Sequence, residues 1–397
     1  MKLEGLRVVD LSLFLPGPHV TLMMADHGAD VIKVEPPGEG EPNRHIGPKV
    51  GGHSVFFRNT HRGKRSVCIN LKAPAGREAL LRLCETADVL VEAFRPGVVD
   101  RLGVGYAAVS ARNPRIVYCS IAAFGQSGPY RDLPAHDLAT EALAGVVSLN
   151  LGNNGEPTMP HMPTADMSAS MLAFGGIMMA LYRRQTTGRG DYLDMAMHDS
   201  VLAWTPNIVG EVFANRRAPV VRHERSLGGS AFYNIYRTKD GLHVVLGAQE
   251  IKFVRNLLGE LGRLDFVPLA ERGPGPHQQP LIDFLRATFL TRTRAEWLEW
   301  FRGRDVSFAP VNDLRQAFDD PHAAARGMRL VDDHGYEHIG VPIKFRDEPG
   351  QPRFALPAVG EHNTEVLRSI GYSDAEIAAL RAAGAISEGT GAPPAGH

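Results

Sequence analysis

Two short segments place acid–base side chains at the start of predicted helices. His136 and Asp137 come directly before a helix predicted from Leu138 to Val147, and Asp166 opens the longest helical stretch, Ala165 to Arg184. A carboxylate in a helix's first turn faces unpaired backbone N–H groups and the positive end of the helix dipole, which favours its ionised form. An ionised carboxylate can attack an activated carbonyl carbon or accept a proton. The competing interpretation is structural, because aspartate is a favoured N-cap in any helix.

The elements that would position these side chains alternate between strand and helix patterns. Short apolar runs rich in β-branched residues are separated by helical patterns of about ten residues, an alternation typical of a parallel, doubly wound sheet. The sequence therefore predicts an α/β fold. The predicted strands are Leu6–Leu11, Asp30–Glu35, Ser66–Leu71, Val89–Phe94 and Ile116–Ile121.

Composition excludes several classes of protein. A net charge of −1 over 397 residues argues against a nucleic-acid binder, which normally carries a basic surface. No run of 18 apolar residues occurs, so we expect neither a membrane span nor a membrane partner. Cys68, Cys84 and Cys119 are dispersed, with no CxxC pair, which favours reduced thiols and a cytoplasmic location.

The motifs expected of common α/β enzymes are absent from the sequence. No GxGxxG follows the first predicted strand, and there is no GxxxxGK[ST], no GxSxG elbow and no HExxH. Nicotinamide, P-loop nucleotide and metal sites are therefore not expected.

A series of segments in a fixed order gives a more specific indication. They resemble the class III CoA-transferase family (CaiB/BaiF type), which also contains the α-methylacyl-CoA racemases, and the resemblance runs from Leu3 to about Tyr372. The segments are Arg7–Ser12 with Pro16–Pro18, Gly28–Glu35, Arg62–Ser66, Ala87–Gly97, Phe124–Pro129, Ala180–Arg184, Thr187–Gly190, Asp194–Asp199, Arg294, Glu296–Trp297 and Pro310–Asn312.

The resemblance implies roles for the acid–base residues. In the family's transferases the aspartate matching Asp166 attacks the thioester, and the reaction passes through a mixed anhydride and an enzyme-bound CoA thioester. In the racemases that aspartate and a histidine matching His136 act on opposite faces of the α-carbon, and a glutamate matching Glu250 supports the histidine. The transferases commonly carry an aromatic residue at the position of His136, whereas Thr140 stands where the racemases commonly carry tyrosine. Both reactions therefore remain open.

The substrate's charge adds further requirements. Both reactions build negative charge on the thioester oxygen, which backbone N–H groups at a helix start can stabilise. The CoA phosphates need cations, and Arg95 lies just beyond a strand's carboxyl end, where open α/β sheets bind ligands. Pro36–Pro37 replace a family arginine, for which Arg44 could compensate. Each cation could instead be ordinary solvated surface charge. The resemblance implies CoA contacts at Lys64, Arg65, Arg95 and Arg101, which lie in segments that match the family's CoA-contacting parts, and Arg44 completes the predicted set.

The predicted domain organisation places a smaller unit inside a larger one. Residues 1–213 form the first part of a large Rossmann-like domain, and the basic, loop-like residues 214–230 form a linker. Residues 231–325 form a small α/β domain, and residues 326–386 return to the large one. Residues 387–397 are of low complexity and are predicted to be disordered.

These expectations combine into one predicted function. Asp166 is the nucleophile that transfers CoA from an acyl-CoA to a small carboxylic acid, while His136, Asp137 and Glu250 shape the site. One alternative is an α-methylacyl-CoA racemase with His136 and Asp166 as opposed acid–base groups, and another is a non-catalytic acyl-CoA-binding protein. The CoA thioester is a substrate in these readings, with no permanently bound cofactor. The resemblance also implies an interlocked homodimer.

Overall fold

The computed structural model describes residues 1–152, 154–160 and 162–388. Most of the predicted disordered tail, residues 389–397, lies outside the described residues. The chain divides into two compact units. The large unit comprises Met1–Val146, Pro160–Trp204 and the chain from Pro321 onward, and the small unit comprises Val147–Met159 and Thr205–Asp320.

The strands are short, and those of the large unit's main sheet are mostly buried. In chain order they are β1 (Arg7–Asp10), β2 (Asp30–Glu35), β3 (Lys49–Val50), β4 (His53–Ser54), β5 (Arg65–Cys68), β6 (Val89–Glu92), β7 (Val117–Ala122), β8 (Tyr192–Ala196), β9 (Tyr233–Arg237), β10 (His243–Gly247), β11 (Phe308–Pro310), β12 (Arg329–Val331) and β13 (Glu337–Ile339).

The helices range from single turns to one of 24 residues. They are α1 (Pro16–Asp26), α2 (Val55–His61), α3 (Pro74–Cys84), α4 (Val98–Arg101), α5 (Tyr106–Arg112), α6 (Asp137–Leu143), α7 (Thr164–Thr187), α8 (Met197–Ala203), α9 (Gly210–Asn215), α10 (Ile251–Glu260), α11 (Val267–Glu271), α12 (Gln279–Phe289), α13 (Arg294–Phe301), α14 (Leu314–Asp319), α15 (Pro321–Ala325), α16 (Asn363–Ser369) and α17 (Asp374–Ala382).

The large unit is built on a six-stranded sheet in the order β5-β2-β1-β6-β7-β8, with every pair parallel. This arrangement confirms the predicted parallel α/β fold. Strand order reverses between β1 and β6, and open sheets of this kind bind ligands outside the carboxyl ends of the strands at that point. The edge strand β8 was not predicted, because its residues are less buried and include the exposed Asp194.

Alternation along the strands builds two hydrophobic layers in the large unit. Val9 packs with residues of α3, α16 and α17, whereas its neighbour Val8 packs with residues of α1 and α7. Successive strand side chains point to opposite faces, so a buried strand needs apolar residues at consecutive positions. The same pattern in the sequence predicted these strands.

The small unit has its own sheet and core. Strands β11, β10 and β9 pair antiparallel, and their buried side chains pack with those of α10, α12 and α13. Trp297 anchors this core and donates its indole N–H to the carbonyl of Phe289 at 2.9 Å.

Helix α7 carries the candidate nucleophile and is buried along one side only. Ala165, Ala169 and Ala173 pack under the sheet, while Met179 and Tyr182 are 70% and 78% exposed. The outer side of α7 is therefore exposed although its sequence is largely apolar. By length and composition α7 could cross a membrane, but core helices of globular proteins pass the same test.

Candidate active site

Asp166 occupies the first turn of α7 without capping it. The N-cap residue is Pro163, which offers no side-chain hydrogen bond. Among the described residues, no hydrogen-bond donor contacts the Asp166 carboxylate, so the structure does not support the interpretation of Asp166 as an N-cap. The carboxylate is thus left for other chemistry.

Two carboxylates from α6 take over the missing cap. Asp137 accepts the backbone N–H of Asp166 at 3.0 Å, and Glu141 accepts the backbone N–H of Thr164 at 2.7 Å. The N–H groups at a helix start need acceptors from elsewhere when the cap residue supplies none. These two N–H groups are therefore occupied and are not free to stabilise a thioester oxygen, contrary to expectation.

The same arrangement changes the acidity of Asp166. Burial, followed by the negative charges of Asp137 and Glu141, raises the pKa of Asp166 to about 7. Burial also raises the pKa of Glu141, although the N–H of Thr164 opposes this effect. The helix start was expected to keep Asp166 ionised. Burial and the neighbouring carboxylates instead make Asp166 a more basic carboxylate.

His136 directly precedes Asp137, one of these carboxylates. It is the N-cap residue of α6 and is exposed, and its carbonyl accepts the hydroxyl of the buried Thr140 at 3.1 Å. The His136 ring meets the Phe14 ring edge-on, with centroids 6.1 Å apart. His136 is therefore linked to Asp166 through its chain neighbour Asp137, which accepts the backbone N–H of Asp166. Sequence reasoning missed Phe14 and Glu141.

Glu250 lies in the small unit, at the N-cap of α10, with an exposed side chain. Its carbonyl accepts the backbone N–H of Phe253 at 2.9 Å. Its support of His136 stays a prediction.

Lys64 lies inside the large unit and has its hydrogen bonds satisfied there. Its side chain is 0% exposed, and its Nζ donates to Asp10 at 3.0 Å, to the carbonyl of Pro18 at 2.9 Å and to Thr21 at 2.8 Å. An ammonium group has only three hydrogens to donate. In this arrangement none remains for a phosphate.

Two of the predicted arginine contacts also have protein partners. Arg65 begins β5 and pairs with Asp30 at the start of β2, so it lies at the amino edge of the parallel sheet. Arg44 forms a bidentate pair with Glu35 at 2.6 and 2.8 Å and stacks on Phe57. Both guanidinium groups are therefore held by the large unit's own side chains.

Arg95 and Arg101 lie differently, beyond the carboxyl end of β6. Both are exposed, and Arg101 folds over Gly97, with its Nη1 3.2 Å from where a Cβ on that glycine would lie. Gly97 has a φ of +77° and starts α4, a backbone conformation that glycine adopts without strain. Arg131, which sequence analysis missed, reaches the same point at 3.6 Å. Two arginine side chains, those of Arg101 and Arg131, thus approach Gly97 at the edge of the sheet where ligands bind. Arg131 also donates to the carbonyl of Gln126 at 3.0 Å and pairs with Asp132 at 2.9 Å.

Comparisons with known proteins identify the family. The model of the family described as CoA-transferase family III matches residues 3–363. Human succinyl-CoA:glutarate CoA-transferase is 30% identical over 97% of this chain and 90% of that protein. Human alpha-methylacyl-CoA racemase is 33% identical over 95% of both chains. The crystal structure of a CAIB/BAIF family protein from Brucella suis has a TM-score of 0.80 at 30% identity, covering 93% of this chain and 99% of that one.

Proposed function

Because the chain belongs to CoA-transferase family III, we propose that it transfers CoA from an acyl-CoA to a small carboxylic acid with Asp166 as nucleophile. The chain is an enzyme of this family, whose members include transferases and racemases. The observation that carries the proposal is the state of Asp166, which has no donor among the described residues and a pKa raised to about 7. A more basic carboxylate is a stronger nucleophile once ionised.

The proposed reaction uses the Asp166 carboxylate twice. An Asp166 oxygen attacks the acyl carbonyl and expels CoA thiolate, which leaves a mixed anhydride. The thiolate attacks the Asp166 carbonyl of that anhydride and releases the donor acid, so that the enzyme carries CoA as an aspartyl thioester. The acceptor carboxylate then displaces the thiolate, and the thiolate attacks the acceptor's acyl carbon and frees Asp166. Each bond broken is matched by one formed, and no oxidant or metal is required.

We assign the CoA phosphates to the two exposed arginines beyond β6, Arg95 and Arg101. Arg101 presents its guanidinium group near Gly97, and arginine binds phosphate through paired N–H donors. Arg131 is left out because its donors serve the carbonyl of Gln126 and the carboxylate of Asp132. Lys64 and Arg65 are left out of this proposed set because their donors serve Asp10 and Asp30.

Racemisation is the second candidate, and one observation favours it. His136 is exposed at the N-terminal end of α6, and the next residue, Asp137, accepts the backbone N–H of Asp166. His136 and Asp166 are therefore two candidate acid–base groups for one site. A carboxyl group with a pKa of about 7 also suits general acid–base work near neutral pH. In that reaction one group removes the α-proton of a 2-methylacyl-CoA and the other returns a proton from the opposite face.

Isotopes separate the candidates in one set of incubations. Succinyl-CoA and glutarate, the pair named for the human relative, are a starting choice of donor and acceptor. With glutarate labelled by ¹⁸O in its carboxylates, transfer leaves ¹⁸O in the Asp166 carboxylate, which mass spectrometry of the peptide detects. With a 2-methylacyl-CoA in deuterated water and no acceptor, racemisation places deuterium at the α-carbon.

Asp166→Asn is the decisive variant, and the exposed Asp347→Asn is its matched control. We expect Asp166→Asn to abolish both exchange and labelling and Asp347→Asn to retain them. Full activity of Asp166→Asn would reject both catalytic schemes. Binding of acyl-CoA without any turnover by the unaltered protein would favour the non-catalytic alternative.

Assembly and location complete the proposal. We propose a homodimer that covers the outer side of α7, because Met171, Met179 and Tyr182 expose a row of apolar side chains there. We also propose a cytoplasmic location, supported by the free thiols of all three cysteines.

A further inference from the structure

Phe14 has an unusual backbone conformation for an aromatic residue. Its φ is +63°, and the only other non-glycine residues with positive φ in the described part of the chain are Arg216 and Arg222. A Cβ in the left-handed region crowds the following carbonyl oxygen, so this conformation costs free energy unless the surroundings impose it. Phe14 lies four residues after the end of β1, at the carboxyl edge of the sheet beside the point of strand reversal.

Two buried side chains impose this conformation. The Phe14 N–H donates to Glu41 at 2.9 Å, and its carbonyl accepts from the side-chain amide of Asn43. Glu41 and Asn43 are both 0% exposed. Glu41 is itself held by the buried ammonium of Lys33 at 3.0 Å. The backbone of Phe14 is therefore clamped on both sides by groups that solvent does not reach.

Burial of the Phe14 ring does not account for the clamp. The ring is 41% exposed, so it contributes little to the core. Its close aromatic neighbour is His136, at 6.1 Å between centroids and 87° between planes. An edge-on arrangement of this kind is a favourable geometry for aromatic rings.

We propose that Phe14 is a positioning residue that fixes the orientation of the His136 ring, at the residue that precedes the hydrogen-bond partner of Asp166. The inference rests on the proposed function, whose racemase candidate makes His136 an acid–base group and whose transferase candidate lets His136 shape the site around Asp166. His136 is exposed and its side chain makes no hydrogen bond to another described residue. Without the Phe14 ring, the imidazole is free to occupy other staggered rotamers. The strained backbone and its buried clamp thus serve the active site rather than the core.

Phe14→Gly tests this role without adding strain. Glycine adopts a positive φ readily, so the variant loses the ring while its backbone is relieved. We expect kcat to fall about tenfold, as for a displaced catalytic group, with the KM for acyl-CoA changed less than twofold. Phe14→Tyr keeps the ring edge and is expected to retain activity. Arg216→Gly removes a similar positive-φ strain in the small unit. This control variant should keep the kcat of the unaltered protein, and its melting temperature should not fall.

A double-mutant cycle with His136→Ala decides the inference. The measured reaction is succinyl-CoA:glutarate exchange or α-deuteration of a 2-methylacyl-CoA, whichever the unaltered protein catalyses. If Phe14 acts through His136, Phe14→Gly has no further effect in the His136→Ala background. Equal effects in both backgrounds, a loss confined to KM, or full activity of either single variant would overturn the inference. The ¹⁸O labelling of Asp166 tests the proposed function separately, since it does not depend on His136.

Discussion

The Asp137 carboxylate lies 3.0 Å from the backbone nitrogen of Asp166, so one hydrogen bond joins the start of α6 to the start of α7. This contact has two effects. It satisfies a helix N–H group that Pro163 leaves open, and it brings a second negative charge to the candidate nucleophile. Asp137 therefore helps to set both the position of Asp166 and its basicity.

The pH dependence of activity should reveal this coupling. Burial and then Asp137 raise the pKa of Asp166 to about 7, and the carboxylate must be ionised to attack. We expect kcat/KM to rise with pH through about 7, since this ratio reports groups of the free enzyme. Asp137→Asn keeps an oxygen acceptor for the Asp166 N–H and removes the charge. In Asp137→Asn the acidic limb of the kcat/KM profile should therefore move to lower pH by about one unit.

Glu141→Gln provides the companion measurement. Glu141 raises the pKa of Asp166 less than Asp137 does. The acidic limb of the pH profile of Glu141→Gln should therefore move to lower pH by less than that of Asp137→Asn. A limb that stays in place or moves upward in Asp137→Asn would show that Asp137 does not control the titration.

Asp166 should lower the stability of the folded protein at high pH. Its pKa is raised from 3.8 to about 7 on folding, so above pH 7 the folded protein carries a charge that the unfolded chain accommodates more easily. The penalty is complete above pH 7 and declines as pH falls toward 4. We expect Asp166→Asn to gain about 1–2 kcal/mol at pH 8, reduced from the full effect because the side chain is only half-buried, and less at pH 5. Urea denaturation at the two pH values measures the difference, and a gain that is larger at pH 5 would contradict it.

Arg101 should contribute to affinity for CoA through charge. Arg101→Gln is expected to raise the KM for acyl-CoA about tenfold and to leave kcat nearly unchanged, because a charge-assisted contact to phosphate is lost. Repeating the measurement with the dephospho-CoA thioester shows whether the 3′-phosphate is the partner, in which case the variant has no further effect. Arg65→Gln is the matched control at the opposite edge of the sheet, and a similar KM increase there would remove the distinction between the two edges.

The buried ion cluster around Asp10 should matter for folding. Asp10 is fully buried between Lys33 and Lys64, at 3.6 and 3.0 Å. Asp10→Asn leaves two buried ammonium groups with one fewer counter-charge, and the expected loss is about 3–5 kcal/mol. Asp30→Asn breaks a partly exposed pair with Arg65 and should cost less than about 1 kcal/mol. Similar losses of unfolding free energy in Asp10→Asn and Asp30→Asn would contradict the difference in burial between the two carboxylates.

The alternating strands, the parallel sheet and the family could be predicted from sequence because they depend on local patterns. Buried strands such as β6 and β7 are continuous apolar runs, and the start of α7 stands out through the change from Pro163 to a long apolar helix. The comparisons confirm the family resemblance.

Partners distant in the sequence could not be predicted in this way. Lys64 was predicted to contact CoA because it lies in a segment that matches a CoA-contacting part of the family, but Asp10, far away along the chain, holds it inside. The spacing of Asp137 and Glu141 did carry a signal, since residues four apart share one face of a helix. That face could be linked to Asp166 only once the packing of α6 against α7 was known.

The outer side of α7 supports a last prediction about assembly. Met179 and Tyr182 lie one turn apart on a helix whose inner side is packed under the sheet, and both are among the most exposed apolar side chains of the large unit. Exposed apolar patches of this kind usually mark an interface. Met179→Glu should therefore shift the sedimentation coefficient from dimer to monomer. Lys72→Glu changes an exposed charge before α3, which packs in the other hydrophobic layer of the sheet, and should leave the dimer intact. A monomeric unaltered protein, or a dimer unaffected by Met179→Glu, would place the interface elsewhere.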